Sequence, residues 1–198
     1  MPRQTLEQIA KSIELNKDAA RKSLAWFDEQ VKILGNRVSR NSLMQGKGKT
    51  GNIMPGKMYF YFYDPITKDK LPYYDTFPLV LPFSRDATTF TGINFHYLPY
   101  KVRTVLLKNL LDFASDKKMD ENTKIKTAWQ YIGGISRYRG VNSAVKKYRF
   151  DHVQSPFLEV PASSWFTALL LPVQSFNTGT SLTYVNPTTV WRDSLSGL

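Results

Sequence analysis

The sequence has no cysteine, which excludes disulfides, thiolate metal sites and cysteine nucleophiles together. Histidine is almost as scarce, with only 2, at positions 96 and 152. No His-x-x-x-His, Glu-x-x-His or acidic calcium-loop spacing occurs, so no metal or other cofactor is expected. There is no Gly-x-Ser-x-Gly elbow either, which leaves the many serines without a catalytic setting. No stretch approaches the roughly 18–20 apolar residues of a membrane span, and residues 1–22 carry no apolar run of signal-peptide length. The expectation is a chain made in a cytoplasm, without a membrane partner. Acid is the last shortage: Asp and Glu number 16 against 27 Lys and Arg, a formal net charge of +11. Such a surface is drawn to polyanions, whether nucleic acid, anionic lipid or an acidic protein, but charge alone names none of them.

Rings, by contrast, are plentiful. The stretch GKMYFYFYDP puts an unbroken run of aromatics at Tyr59 to Tyr63. Neighbouring side chains in a strand point to opposite faces, so this strand is apolar on both. A half-solvated sheet would alternate rings with polar residues. The second face therefore needs a cover, from the chain's own helices, from a base, or from another protein.

Four regions follow from the pattern. Residues 1–35 read as an amphipathic helical extension: Thr5 and Gln8 match a capping box, and Leu24, Phe27, Val31 and Leu34 continue a helical stripe up to Gly35. Residues 36–56 are a flexible basic linker rich in Gly, Ser and Asn, with Arg37, Arg40, Lys47 and Lys49 unopposed by acid. Its Gly48-Lys49-Thr50 resembles the end of a phosphate-binding loop, but Leu43 stands where that loop needs glycine. Residues 57–175 form a compact domain. Strands are expected over Met58–Tyr63, Phe77–Phe83 (an edge or a barrel corner, given its prolines) and Phe90–Tyr97, where Gly92 marks a bulge or bend. Helices are expected over Lys101–Phe113, Asn122–Ile132 and Val141–Tyr148, and extended segments over Phe157–Val160 and Trp165–Leu171. Residues 176–198 read as a polar arm that orders against a partner. Short strands joined by loops, then helices, point to α+β: a small, antiparallel SH3-like barrel with packed helices.

The candidate chemistry is thin. His96 lacks a spacing that would supply a general base with a partner, and reads as a structural histidine hydrogen-bonded at a strand end. Asp64, Asp75 and Asp86 read as turn and cap residues. No catalytic constellation emerges, so an enzyme with a small-molecule substrate is not expected. Nucleic acid has a better case, because Arg137, Tyr138, Arg139, Lys146, Lys147, Tyr148, Arg149 and Phe150 interleave cations and rings near the linker's cations. Phosphate contact plus stacking holds single strands without sequence preference.

At Gly56–Tyr59, Asp64-Pro65, Leu71–Asp75 (Leu-Pro-Tyr-Tyr-Asp), Asn94–Leu98 (Asn-x-His-Tyr-Leu) and Pro161…Trp165, the chain resembles a family of small proteins encoded by contractile-tailed, T-even-like phages. The resemblance covers residues 56–175. It implies a virion component or assembly factor rather than an enzyme. The leading expectation is a structural tail or baseplate protein working through contacts with other virion proteins, with Leu24, Phe27, Val31, Leu34, Tyr184 and Trp191 as docking residues. The first alternative is a DNA-binding head protein at the genome end, using Arg37, Arg40, Lys47, Lys49, Arg137, Arg139, Lys146, Lys147 and Arg149. The second is an assembly chaperone of the baseplate hub.

Overall fold

A computed structural model describes residues 23–35, 38–114, 130, 134, 139–178 and 185–196. The first half of the expected N-terminal helix, all but residue 130 of the helix expected over Asn122–Ile132, and Arg37, Arg137, Tyr138 and Tyr184 lie outside these residues. Helices run over Leu24–Gly35 (α1), Arg40–Met44 (α2), Tyr100–Ala114 (α3), Arg139–Asn142 (α4), Trp165–Leu170 (α5) and Pro187–Ser196 (α6). Strands run over Lys49–Thr50 (β1), Met58–Phe60 (β2), Tyr74–Asp75 (β3), Leu79–Arg85 (β4), Thr89–Asn94 (β5), Val145–Arg149 (β6), Phe157–Val160 (β7) and Phe176–Asn177 (β8). The class is α+β.

The main sheet is six-stranded in the order β1-β7-β2-β4-β5-β6, with antiparallel neighbours throughout, and β3 pairs with β8 in a separate ladder. The sheet is curled but open. Strands lie about 4.8 Å apart, yet the rings of Phe157 on β7 and Phe90 on β5, three places apart in the order, have centroids 5.9 Å from each other. Only a bent sheet lets them meet. No ladder joins β1 to β6 among the described residues, so the expected closed barrel is replaced by an open, curled sheet.

The curl supplies the cover for the aromatic strand. Met58 and Phe60 enter the larger core with Leu79, Leu81, Ile93, Leu158 and the helices, where Phe60 stacks on Phe77 at 5.3 Å. Tyr59 and Tyr61 enter a second core on the other face, with Val80, Phe90, Tyr148 and Phe157. There Tyr61 meets Phe157 edge-on at 5.0 Å and Tyr148 at 5.7 Å. The chain's own strands bury both faces, so neither a helix nor a neighbouring subunit is needed over the second one.

Several boundaries differ from the expected ones for tertiary reasons. β4 is an inner strand, not an edge. Its Pro82 lies past the last β2 rung, which falls at Val80, and the register on β5 slips between Pro82 and Ser84. Opposite Pro82 stands Gly92, where a Cβ would come within 2.5 Å of Val80 Cγ1 and 2.9 Å of Pro82 Cα. Val145–Arg149, expected as helix, instead adds a strand to β5, and its Tyr148 fills the second core. Trp165–Leu170, expected as extended, is helical, ended by the neighbouring Pro172.

In α3, Arg103 is fully buried and donates to the carbonyls of Leu98 (2.7 Å), Leu169 (2.9 Å) and His96 (3.1 Å), whereas Val105, expected inside, is exposed. Helix α1 ends at Gly35 without a left-handed φ; a Cβ there would lie 3.1 Å from Pro172 Cγ, so close approach is what favours glycine.

Candidate nucleic-acid interface

Phe27 and Leu34, two of the expected docking residues, are 1% and 0% exposed, inside the chain's own core, where α1 packs against α3 and α5. Val31 is half-buried. Leu24 opens α1, and its side chain lies outside the described residues. Trp191 gives its indole N–H to the Gly140 carbonyl at 2.7 Å. On the same helix Val190 is fully buried, and Asp193 accepts from the Tyr73 hydroxyl at 2.6 Å. Two of the four residues of the expected docking stripe are therefore spent internally, and within the expected arm Pro187–Ser196 packs on the domain as a helix.

The cations are arranged otherwise. Lys47 and Lys49 are exposed at the β1 edge of the sheet, and Lys147 is exposed on β6 at the opposite edge. None of these has an acidic partner among the described residues. Arg149 is exposed too, but Asp151 takes its guanidinium, with Nε to Oδ1 at 2.9 Å. Arg40 begins α2 and gives Nε to the Val173 carbonyl at 2.9 Å and Nη2 to that of Gln174 at 3.4 Å. Arg139 begins α4, its side chain outside the described residues. Lys146 is half-buried with its ammonium 4.2 Å from the Tyr97 ring centroid, and burial pushes its pKa down to about 8. That cation is engaged with a ring and stands back from the surface.

One cation went unremarked in the sequence. Arg85, exposed at the end of β4, donates from Nη1 to the Ile53 carbonyl at 2.9 Å and lies 5.5 Å over the Phe150 ring. It thus ties the loop after β1 to the turn after β6, bringing together loops from the two sheet edges. Its neighbours Ser84 and Asp86 marked only a turn, and nothing in the local spacing signals the bridge.

The two interleaved rings among the described residues, Tyr148 and Phe150, are engaged within the chain. Tyr148 is 5% exposed and stacks on Phe90 at 5.2 Å. Phe150 is shared between Phe90 and the Arg85 guanidinium. Over β6 Lys147 and Arg149 face outward while Lys146 and Tyr148 are turned inward, so single-strand stacking on Tyr148 is not what this segment offers.

His96 and Asp75 form the polar centre of the molecule. Both are buried, and the imidazole Nδ1 lies 2.7 Å from Asp75 Oδ2. The same carboxylate accepts from Asn94 Nδ2 (3.2 Å) and from the backbone N–H groups of Phe77 (3.0 Å) and Ser175 (3.1 Å). Burial opposes ionisation of Asp75, but His96 and these donors outweigh it, and the pKa falls below the ordinary 3.8. For His96 burial wins over the pull of Asp75, and the pKa falls below 6.5. The ring is therefore neutral with its proton on Nδ1, and Nε2 has no partner among the described residues. The ring is sealed from solvent and its Nδ1 is held by Asp75. Asp75 does more than cap a turn: it joins the Leu71–Asp75 and Asn94–Leu98 motifs in one network. Asp86 does cap its hairpin turn, with the Thr89 hydroxyl and the N–H groups of Thr88 and Thr89 holding its pKa far below the usual range. Among the described residues no group of His, Cys, Asp and Glu could hold a metal ion, and no helix is long and apolar enough to cross a membrane.

In this basic α+β domain, exposed cations without acidic partners among the described residues lie at both sheet edges, a surface drawn to polyanions. The chain belongs to the phage family described as phage T4 terminal DNA protecting protein, whose model matches residues 3–194. The match takes in both extensions, beyond the 56–175 over which the sequence motifs were read. No curated protein and no solved structure matches the chain. The expectation of a T-even-like phage protein is met. The tail and baseplate assignment is not supported, and the family description favours the genome-end alternative over it.

Proposed function

We propose that this protein is a virion component that binds the ends of the linear phage genome and shields them from exonucleases, acting by occupancy rather than turnover. The family match over residues 3–194 carries this reading. The net charge of +11 and the exposed Lys47, Lys49, Arg85 and Lys147 support it physically, since cations without acidic partners are free to replace the counterions around phosphate. Contacts come mainly through backbone phosphate, which suits a protein that must hold an end whatever its sequence.

The test is a nuclease assay. Linear duplex DNA saturated with the purified protein should survive a processive exonuclease while remaining sensitive to an endonuclease that cuts internally. Equal exonuclease digestion with and without protein would sink the proposal. Ends recovered after protein removal should be chemically unaltered; a modified terminus would mean catalysis instead.

A further inference from the structure

A surface recess of about 350 Å³ is lined by residues 38–41, Phe62, Pro172 and Val173. It lies near the lower end of the roughly 300–1,000 Å³ typical of small-molecule sites, room for one nucleotide and too small for a duplex. Three features bear on its ligand. Arg40 is exposed and has no acidic partner among the described residues, yet the Val173 and Gln174 carbonyls fix its guanidinium. A cation held in place by neutral acceptors keeps its full charge and loses little freedom on meeting an anion. Phe62, a half-buried ring of the aromatic run, forms one wall and is braced by Phe77, at 4.8 Å between centroids. Asn41, exposed beside Arg40, carries an amide that can both donate to and accept from a base edge.

An anchored cation, a braced ring and an amide around a one-nucleotide volume fit a phosphate with a base attached. We infer that this recess receives the unpaired terminal nucleotide of the DNA, with Arg40 on its phosphate, Phe62 against its base and Asn41 at the base edge. A base inside an intact duplex is stacked on both faces and cannot reach Phe62, whereas a frayed end can. The recess would thereby distinguish an end from the rest of the molecule, which cations alone cannot do. The inference rests on the end-binding reading and deepens it.

Two measurements separate the two ideas. First, wild-type protein is titrated into a linear duplex and into a covalently closed circle of the same sequence. Preference for the linear form is expected, and equal affinity overturns end binding and the recess together. Second, 2-aminopurine is placed at the terminal position or ten pairs inward. The recess predicts a fluorescence change on protein binding at the terminal position alone; a preference for ends without that change overturns the recess and leaves end binding standing. Asn41→Ala, which removes an exposed side chain, and Arg40→Gln should each reduce the preference for ends by about tenfold, the weight of a charge-assisted or base-edge hydrogen bond. Asn41→Ala should leave affinity for the closed circle unchanged, whereas Arg40→Gln, which removes a cation, should weaken it by less than it weakens end binding. If Arg40→Gln loosens the fold, Asn41→Ala and the fluorescence signal decide.

Discussion

At the residue scale, Asp75 and His96 carry the most consequence per atom. A carboxylate taken out of water is tolerable when its acceptor sites are filled, and Asp75 has four donors converging on it, from Phe77, Ser175, Asn94 and His96. Removing the carboxylate leaves those donors buried and unpaired. Asp75→Ala should cost about 3–5 kcal/mol in urea unfolding. The pH dependence has a definite sign. Both folded pKa values lie below their ordinary values of 3.8 and 6.5, so the unfolded chain binds more protons than the folded one. Stability attributable to His96 is complete above 6.5 and is lost as pH falls below it; the Asp75 share is lost only below 3.8. Unfolding free energy should therefore drop between pH 7.5 and 5.5, and His96→Gln should remove that part of the slope. A flat wild-type profile over this range would contradict a neutral, buried imidazole. Sequence alone placed His96 at a strand end and gave Asp75 turn duty. It could not pair them, because they are distant in the chain and only the β3 and β5 ends bring them together.

At the scale of elements, the second aromatic core decides the sheet's shape. Phe157 meets Tyr59, Tyr61, Phe90 and Phe150, so one ring from β7 bridges β2, β5 and the turn after β6. Phe157→Ala should cost about 3–5 kcal/mol, as for other large-to-small core changes, and should loosen β1, which among the described residues pairs only with β7. Hydrogen exchange would report the second effect as lost protection at Glu159, whose N–H donates to the Gly48 carbonyl. Normal stability would mean that the rings merely sit together. Helices were legible where the apolar spacing was regular, as in α3. β6 was not, because lysines at 146 and 147 suit several local structures and the open side of β5 selects the strand. α5 was misread as extended because a short apolar run suits a buried strand equally well.

At the scale of the whole molecule, the net charge of +11 is what bears on the proposed end binding. If end binding works through phosphate, log affinity for DNA should fall linearly with log salt, by about 0.9 per phosphate neutralised. Lys147→Ala should flatten that slope by about 1 while leaving the unfolding midpoint unchanged, because the side chain is exposed on an edge strand. Lys146→Ala should behave differently. Its ammonium covers Tyr97, so its loss should register in stability before it registers in binding. Salt-independent binding would point instead to a protein partner. The candidate site was half legible at this level. Arg40, Lys47, Lys49 and Lys147 stood out as cations without nearby acid. Arg85 and the recess wall at Phe62 did not, since each depends on segments far apart in the chain.

By itself, the sequence determined the chemical character of this protein: no thiols, scarcely any histidine, an excess of positive charge and a strand apolar on both faces. Those are properties of residue types and of period-two geometry, and no fold could alter them. Which groups remain available was decided by the tertiary structure. It turned Phe27 and Leu34 inward, spent Tyr148 on a core, neutralised Arg149 with Asp151, and left Arg40 beside a braced ring. Availability is a relation between distant segments, fixed only when the sheet curls and the helices close over it.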